Sequence, residues 1–144
     1  MVQKTFDEIF SEVGKAKTKK EKIAILHKNS SPEMKEILGY TYNPNIKWLL
    51  PEGEPPYTPL KEGSDQEAGL PSQVRKLYLF VEGNTETQRN LKPVRREQLF
   101  IQMMESVDPR DCKVLLGMKD GKLPYAGLTR NLVSEAFPNL SKTW

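Results

Sequence analysis

TFDEIFSEVGKAKTKKEKIAILHKNSSPEMKEILG, residues 5–39, contains three helix starts in succession, and they decide the fold class. Thr5 followed by Glu8, and Thr18 followed by Glu21, have the spacing of a capping box, in which a hydroxyl accepts from a backbone N–H three residues on. Ser31 before Pro32 is an N-cap with proline at the first helical position, where the missing N–H is no loss. After each start the apolar residues recur at helical spacing. They are Phe6, Ile9, Phe10 and Val13, then Ile23 and Leu26, then Met34, Ile37 and Leu38. Gly14 and Gly39 are read as the stops, and the basic turn Lys15-Ala16-Lys17 joins the first two helices. The result is a compact three-helix opening.

Working outward, Asn43-Pro44 breaks the helical pattern, and Ile46, Trp48, Leu49 and Leu50 form a short apolar cluster expected to plug the core. Residues 51–71 are acidic, with Gly53, Pro55, Pro56, Pro59 and Gly63, and read as a long irregular loop. Two readings stand: a disordered insertion, or an arm packed over the domain through Tyr57 and Leu60. Ser72 is expected to cap a helix with Val74, Leu77, Tyr78 and Val81 on one face, ending at Gly83-Asn84. Residues 85–92 read as a connector. Pro93 opens a helix with Val94, Leu99 or Phe100, Ile101 and Met104 inward, and with Arg95 and Arg96 toward water. Asp108-Pro109 opens another through Val114, Leu115 and Met118, stopped at Asp120-Gly121. A last helix is expected from about Gly127 to Ala136, before Phe137-Pro138. No stretch reads as a strand, so the expectation is an all-α fold in one compact multi-helix domain, residues 1–144, with a long acidic loop.

The length suits one core without staples. Cys112 and His27 are the only residues of their types, so no intrachain disulfide can form and a zinc site is close to excluded. Singly, each is most simply structural, and Met103, Met104 and Met118 read as core filler before binding surface. The longest apolar runs fall far short of the roughly 18 residues that span a bilayer, and the N-terminus lacks a signal-peptide core, so a cytoplasmic protein is expected. Lys119-Asp120-Gly121-Lys122 resembles the K-x-D-G setting of nucleotidyl transfer with one residue missing. A surface turn explains the same residues better. With no Gly-rich phosphate loop and no convincing carboxylate pair, the protein is expected to be no enzyme and to need no cofactor or metal.

The formal charge of +3 conceals an uneven distribution. Residues 1–50 carry nine lysines against six acids, residues 51–71 one against five, and residues 72–144 twelve cations against eight acids, so two basic lobes flank an acidic connector. The pattern suits a polyanion, and equally a solvated surface rich in lysine. Three basic turns stand out: Lys15, Lys17, Lys19 and Lys20; Arg89, Lys92, Arg95 and Arg96; and Lys119, Lys122 and Arg130. Around the third, Tyr125, Ala126 and Gly127 enter a helix start whose backbone N–H groups could face an anion, or form an ordinary turn and cap. Convergence of the three turns on one side of the bundle would make a phosphate-binding footprint.

The order of these features resembles the N-terminal DNA-binding domain of ATP-dependent DNA ligases of T-even-type bacteriophages. The resemblance rests on Phe6-Asp7-Glu8-Ile9-Phe10 with Val13-Gly14, Thr18-Lys19-Lys20-Glu21-Lys22, Ile25-Leu26-His27-Lys28-Asn29 and Tyr40-Thr41-Tyr42. It continues through Leu79-Phe80-Val81-Glu82, Arg89 and Leu91, Val114-Leu115-Leu116-Gly117-Met118, Gly127 and Ala136-Phe137-Pro138, covering roughly residues 5–140. It implies an all-helical domain that grips duplex DNA by phosphates, without the separate domain carrying the adenylated lysine. The DNA-facing places would be Tyr125 to Arg130 and Arg89 to Lys92. The function so implied is that of a non-enzymatic phage accessory protein, in the host cytoplasm, binding double-stranded DNA with little sequence preference. The alternative is an interaction module for a phage or host replication or transcription protein, a sliding clamp or host polymerase, anchored by the acidic loop and Trp144.

Overall fold

The computed structural model describes residues 4–60 and 69–144. They form an all-α domain, and the middle of the acidic segment, 61–68, lies outside the described residues. The three predicted caps are in place: Thr5, Thr18 and Ser31 accept from the N–H groups of Glu8, Glu21 and Met34. They open α1 (Phe6–Lys15), α2 (Lys19–Lys28) and α3 (Pro32–Tyr42). Helix α3 continues beyond Gly39 to Tyr42, so this glycine ends nothing. Phe10, Val13, Leu26, Met34, Ile37 and Leu38 are all fully buried, as their spacing predicts.

After α3 the chain runs extended, and Trp48 pairs with Val81 in an isolated antiparallel bridge. Leu49 N–H donates to Phe80 C=O and Glu82 N–H to Lys47 C=O, each at 2.8 Å. The segment expected as one helix from Ser72 is a single turn, α4 (Leu70–Gln73), followed by a 3-10 helix, Val74–Phe80. The tighter winding buries Val74, Leu77 and Phe80 and leaves Tyr78 outside. The expected connector contains α5 (Glu86–Asn90), closed by a reciprocal cap between Thr85 and Gln88.

Helix α6 (Pro93–Ser106) buries Arg96, Phe100, Met103 and Met104, whereas Val94 is 69% exposed. Val94 lies about 200° around the helix from Arg96, so only one of the two can face inward. A short 3-10 turn leads into α7 (Cys112–Asp120), which Gly121 ends in the left-handed conformation at φ +78°. The last long element, α8 (Arg130–Ala136), begins three residues later than expected because Gly127 is itself left-handed, at φ +73°; α9 (Pro138–Ser141) follows. Helix α1 packs on α2, α3 on α7, and α2 on α8, which encloses a single core.

Of the two readings of the acidic loop, the arm holds for residues 51–60. Tyr57 is half-buried against the core, Thr58 N–H donates to Glu105, and the ammonium of Lys119 donates to Pro51 C=O. The Tyr57 hydroxyl faces the buried Cys112 thiol. Burial raises both groups, to about 12 and about 11, so both stay protonated at neutral pH.

Buried Asp111 ties α1 to α7 by accepting from the N–H of Asp7, at 2.9 Å, within the first turn of α1. Burial raises its carboxyl from 3.8 to about 6; Asp7 and Asp108 push the same way, while the Asp7 N–H and Arg110 oppose. Because the folded value lies above the ordinary one, the folded state holds this proton more tightly between them. Its contribution to stability is complete below pH 3.8 and is lost as the pH rises through about 6. Urea unfolding between pH 4 and 7 should show this slope, at most about 1.4 kcal/mol per pH unit. Asp111→Asn, which keeps the acceptor, should flatten it; an unchanged slope would assign the effect elsewhere.

Candidate nucleic-acid interface

A cleft of about 820 Å³ opens between the C-terminal end of α3, the extended residues 46–52 and the link from α7 to α8. Its shape follows from how that link is held. The buried Tyr42 hydroxyl donates to Leu128 C=O and accepts from Leu123 N–H, clamping both ends of residues 123–128 onto α3. At Gly117 a Cβ would stand 2.9 Å from Lys122 C=O, so the α7 backbone and the link approach as closely as only glycine allows. Lys122 and Arg130 reach the cleft from the two sides of the clamp, with Lys47 on the facing wall.

The two basic turns at residues 15–20 and 122–130 lie side by side. A Cβ on Gly14 would be 3.3 Å from Ala126 N. The ammonium of Lys22 sits between the turns, donating to Val13 C=O, Ala16 C=O and Ala126 C=O. This satisfies carbonyls left open at the end of α1 and places a cation at the negative end of its dipole. It also gives Ala126 and Gly127 a different role from the one expected. Gly127 is glycine because its φ is positive and because a Cβ would meet the Lys22 side chain at 2.7 Å; the pair accommodates a lysine of the chain itself.

The remaining predicted residues divide sharply. Lys17, Lys20, Arg89, Lys92, Arg95, Lys122 and Arg130 are exposed, and none makes an ion pair among the described residues. Lys19 is exposed but paired with Glu135 on α8. Three others are built into the fold. Arg96, expected to face water, is 6% exposed, its guanidinium donating to Leu79 C=O and Gln88 C=O. Lys119 has a side chain only 3% exposed, held between Pro51 C=O and Asp120. Tyr125 packs its ring at a tilt against Phe10 and donates to Asp7 at 2.8 Å; burial, then Asp7, raises its hydroxyl well above the ordinary range. The turn carrying Arg89, Lys92 and Arg95 packs on the 3-10 helix and lines no part of the cleft.

Reading the sequence missed two contributors, Lys47 and Trp48. Both line the cleft, and Trp48 is held there by the bridge to Val81 and by its Nε1 donating to Tyr40 C=O. Their neighbours Ile46, Leu49 and Leu50 are apolar, so the stretch carries no local signal for a surface role. Among the described residues, no three His, Cys, Asp or Glu side chains are grouped to hold a metal ion, and no helix is long and apolar enough to cross a membrane.

Residues 9–125 match DUF6433, a family of unknown function. The chain belongs to that family. The matched range takes in α1 to α7, the Trp48 bridge and the first part of the link, and it stops short of Arg130 and α8. No curated protein and no solved structure matches the chain.

The neighbouring arginines provide a direct check of the division between built-in and exposed cations. Arg96→Ala removes charge-assisted hydrogen bonds from two buried carbonyls and should cost about 3 kcal/mol in urea unfolding. Arg95→Ala should change stability by less than about 0.5 kcal/mol. Equal effects would contradict the burial of Arg96.

Proposed function

We propose that the protein binds double-stranded DNA through phosphate contacts, with little sequence preference, and catalyses no reaction on it. The observation that carries this reading is the pair Lys122 and Arg130. Both are exposed and unpaired among the described residues on the rim of one cleft, with Lys47 opposite and the Lys17 and Lys20 turn packed against the same link. Cations that have no carboxylate to neutralise them at a concave surface draw polyanions by releasing condensed counterions. Backbone contacts of this kind position a protein on a duplex and do not read its sequence.

The resemblance to the DNA-binding domain of phage ligases supports the same reading and adds a setting, that of a free-standing phage accessory protein acting in its host. The link from Tyr125 to Arg130 is the element common to both arguments. The footprint proposed is smaller than the thirteen residues nominated from the sequence. It comprises Lys17, Lys20, Lys47, Lys122 and Arg130, with Arg89, Lys92 and Arg95 as a separate basic turn. Docking of a replication or transcription protein has less in its favour, because Trp144, one of its two anchors, packs against the protein's own core.

The test is a salt titration of duplex binding. Affinity should fall steeply with salt, by about 0.9 in logarithmic slope per phosphate neutralised. Lys122→Ala with Arg130→Ala should weaken binding on every sequence and reduce the slope by about 2. Affinity indifferent both to salt and to the double substitution would reject the proposal.

A further inference from the structure

We infer that the cleft seats an unpaired nucleotide of the bound DNA, its base against Trp48 and its phosphate between Lys122 and Arg130. The inference rests on the proposal of duplex binding and adds the feature of DNA that this site would select.

The argument begins with what paired DNA leaves unused. A duplex presents phosphates outward and keeps the faces of its bases stacked inside, so contacts to it need cations and no aromatic wall. This cleft has both. The Trp48 ring is fixed three ways: its Nε1 donates to Tyr40 C=O at 3.1 Å, it meets the Tyr40 ring edge-to-face at 6.1 Å between centroids, and its backbone is held in the bridge to Val81. Partly buried against the core, it lines the cleft with what remains exposed, as do Ile46 and Leu128. An immobilised indole loses little entropy on stacking, and every base has a π-face to offer it.

Charge and size agree with this occupant. Lys47, Lys119, Lys122 and Arg130 line the cleft with Glu52 and Asp120, four cations to two carboxylates, and Asp120 is already bound to Lys119. Lys47 is shared at 3.7 Å with Glu82, outside the cleft, which leaves Lys122 and Arg130 as the uncommitted pair for a phosphate. The volume of about 820 Å³ lies within the range of about 300–1,000 Å³ typical of sites for small organic ligands. The cavity is therefore large enough for a nucleotide. The buried Tyr42 hydroxyl below it is already engaged by Leu123 and Leu128, so binding leaves no polar group of the floor stranded.

The experiment compares a blunt duplex with the same duplex bearing a short unpaired thymidine tail, by fluorescence anisotropy. Wild type should prefer the tailed duplex by roughly tenfold, the scale of one stacked base. Trp48→Leu should bring that ratio to about one, while Lys122→Ala with Arg130→Ala weakens binding to both DNAs. In a Trp144→Phe background, the tailed duplex should quench the remaining indole and the blunt one should not. That measurement decides the matter even where Trp48→Leu fails to fold. A wild-type ratio near one, a ratio unmoved by Trp48→Leu, or an unquenched indole overturns the nucleotide site and leaves duplex binding standing. Failure to bind either DNA removes both.

Discussion

One hydroxyl group organises the surface on which this account depends. Tyr42, at the last turn of α3, accepts from Leu123 N–H and donates to Leu128 C=O, so a single buried oxygen fixes both ends of the link between α7 and α8. Buried backbone groups left without partners are costly, and these two have Tyr42 as theirs. The exposed side chains of Lys122 and Arg130 project from either side of that clamp. Their separation is therefore set by the core and not by the loop itself. A site held by a rigid scaffold keeps its geometry at little entropic cost on binding, which is what a phosphate-sized target requires.

The second constraint is the use of lysine and arginine as structural donors. Lys22 closes the end of α1 and touches Ala126, Arg96 joins α6 to the carbonyls of Leu79 and Gln88, and Lys119 holds Pro51 at the start of the arm. Each is a long side chain whose methylene stem packs while its charged head finds carbonyl oxygens. A basic composition therefore overstates the charge available at the surface. Of the cleft's cations, Lys47 is shared with Glu82 and Lys119 is held by Asp120, which leaves Lys122 and Arg130 as the two that no carboxylate claims among the described residues.

The helical character was legible because its signals are local. Thr5, Thr18, Ser31 and Asp108 occupy cap positions that depend only on residues two or three further along, and the apolar spacing of α1 and α3 matches their buried faces. Elsewhere the outcome was decided by contacts distant in sequence. The spacing of α6 sets Arg96 four, seven and eight residues before Phe100, Met103 and Met104, on the buried face, but its charge argued for water, and the carbonyls that draw it inward belong to other segments. Lys119 looked like a turn residue until the arm lay across it. Residues 70–80 carry apolar residues at helical intervals yet wind mostly as a 3-10 helix, and Gly127 delays α8 by adopting a positive φ. Trp48, expected to plug the core, does pack against it, and the part left exposed lines the cleft, a consequence of segments distant in sequence.

The most direct test is a map of amide chemical-shift changes as a short DNA duplex is titrated into the protein. The account predicts that shifts gather on residues 46–48, 121–123 and 127–131, with weaker changes at 15–20, and that added salt reverses them together. Shifts concentrated instead on 89–95 or on the arm at 51–60, with the residues around Tyr42 unmoved, would contradict it.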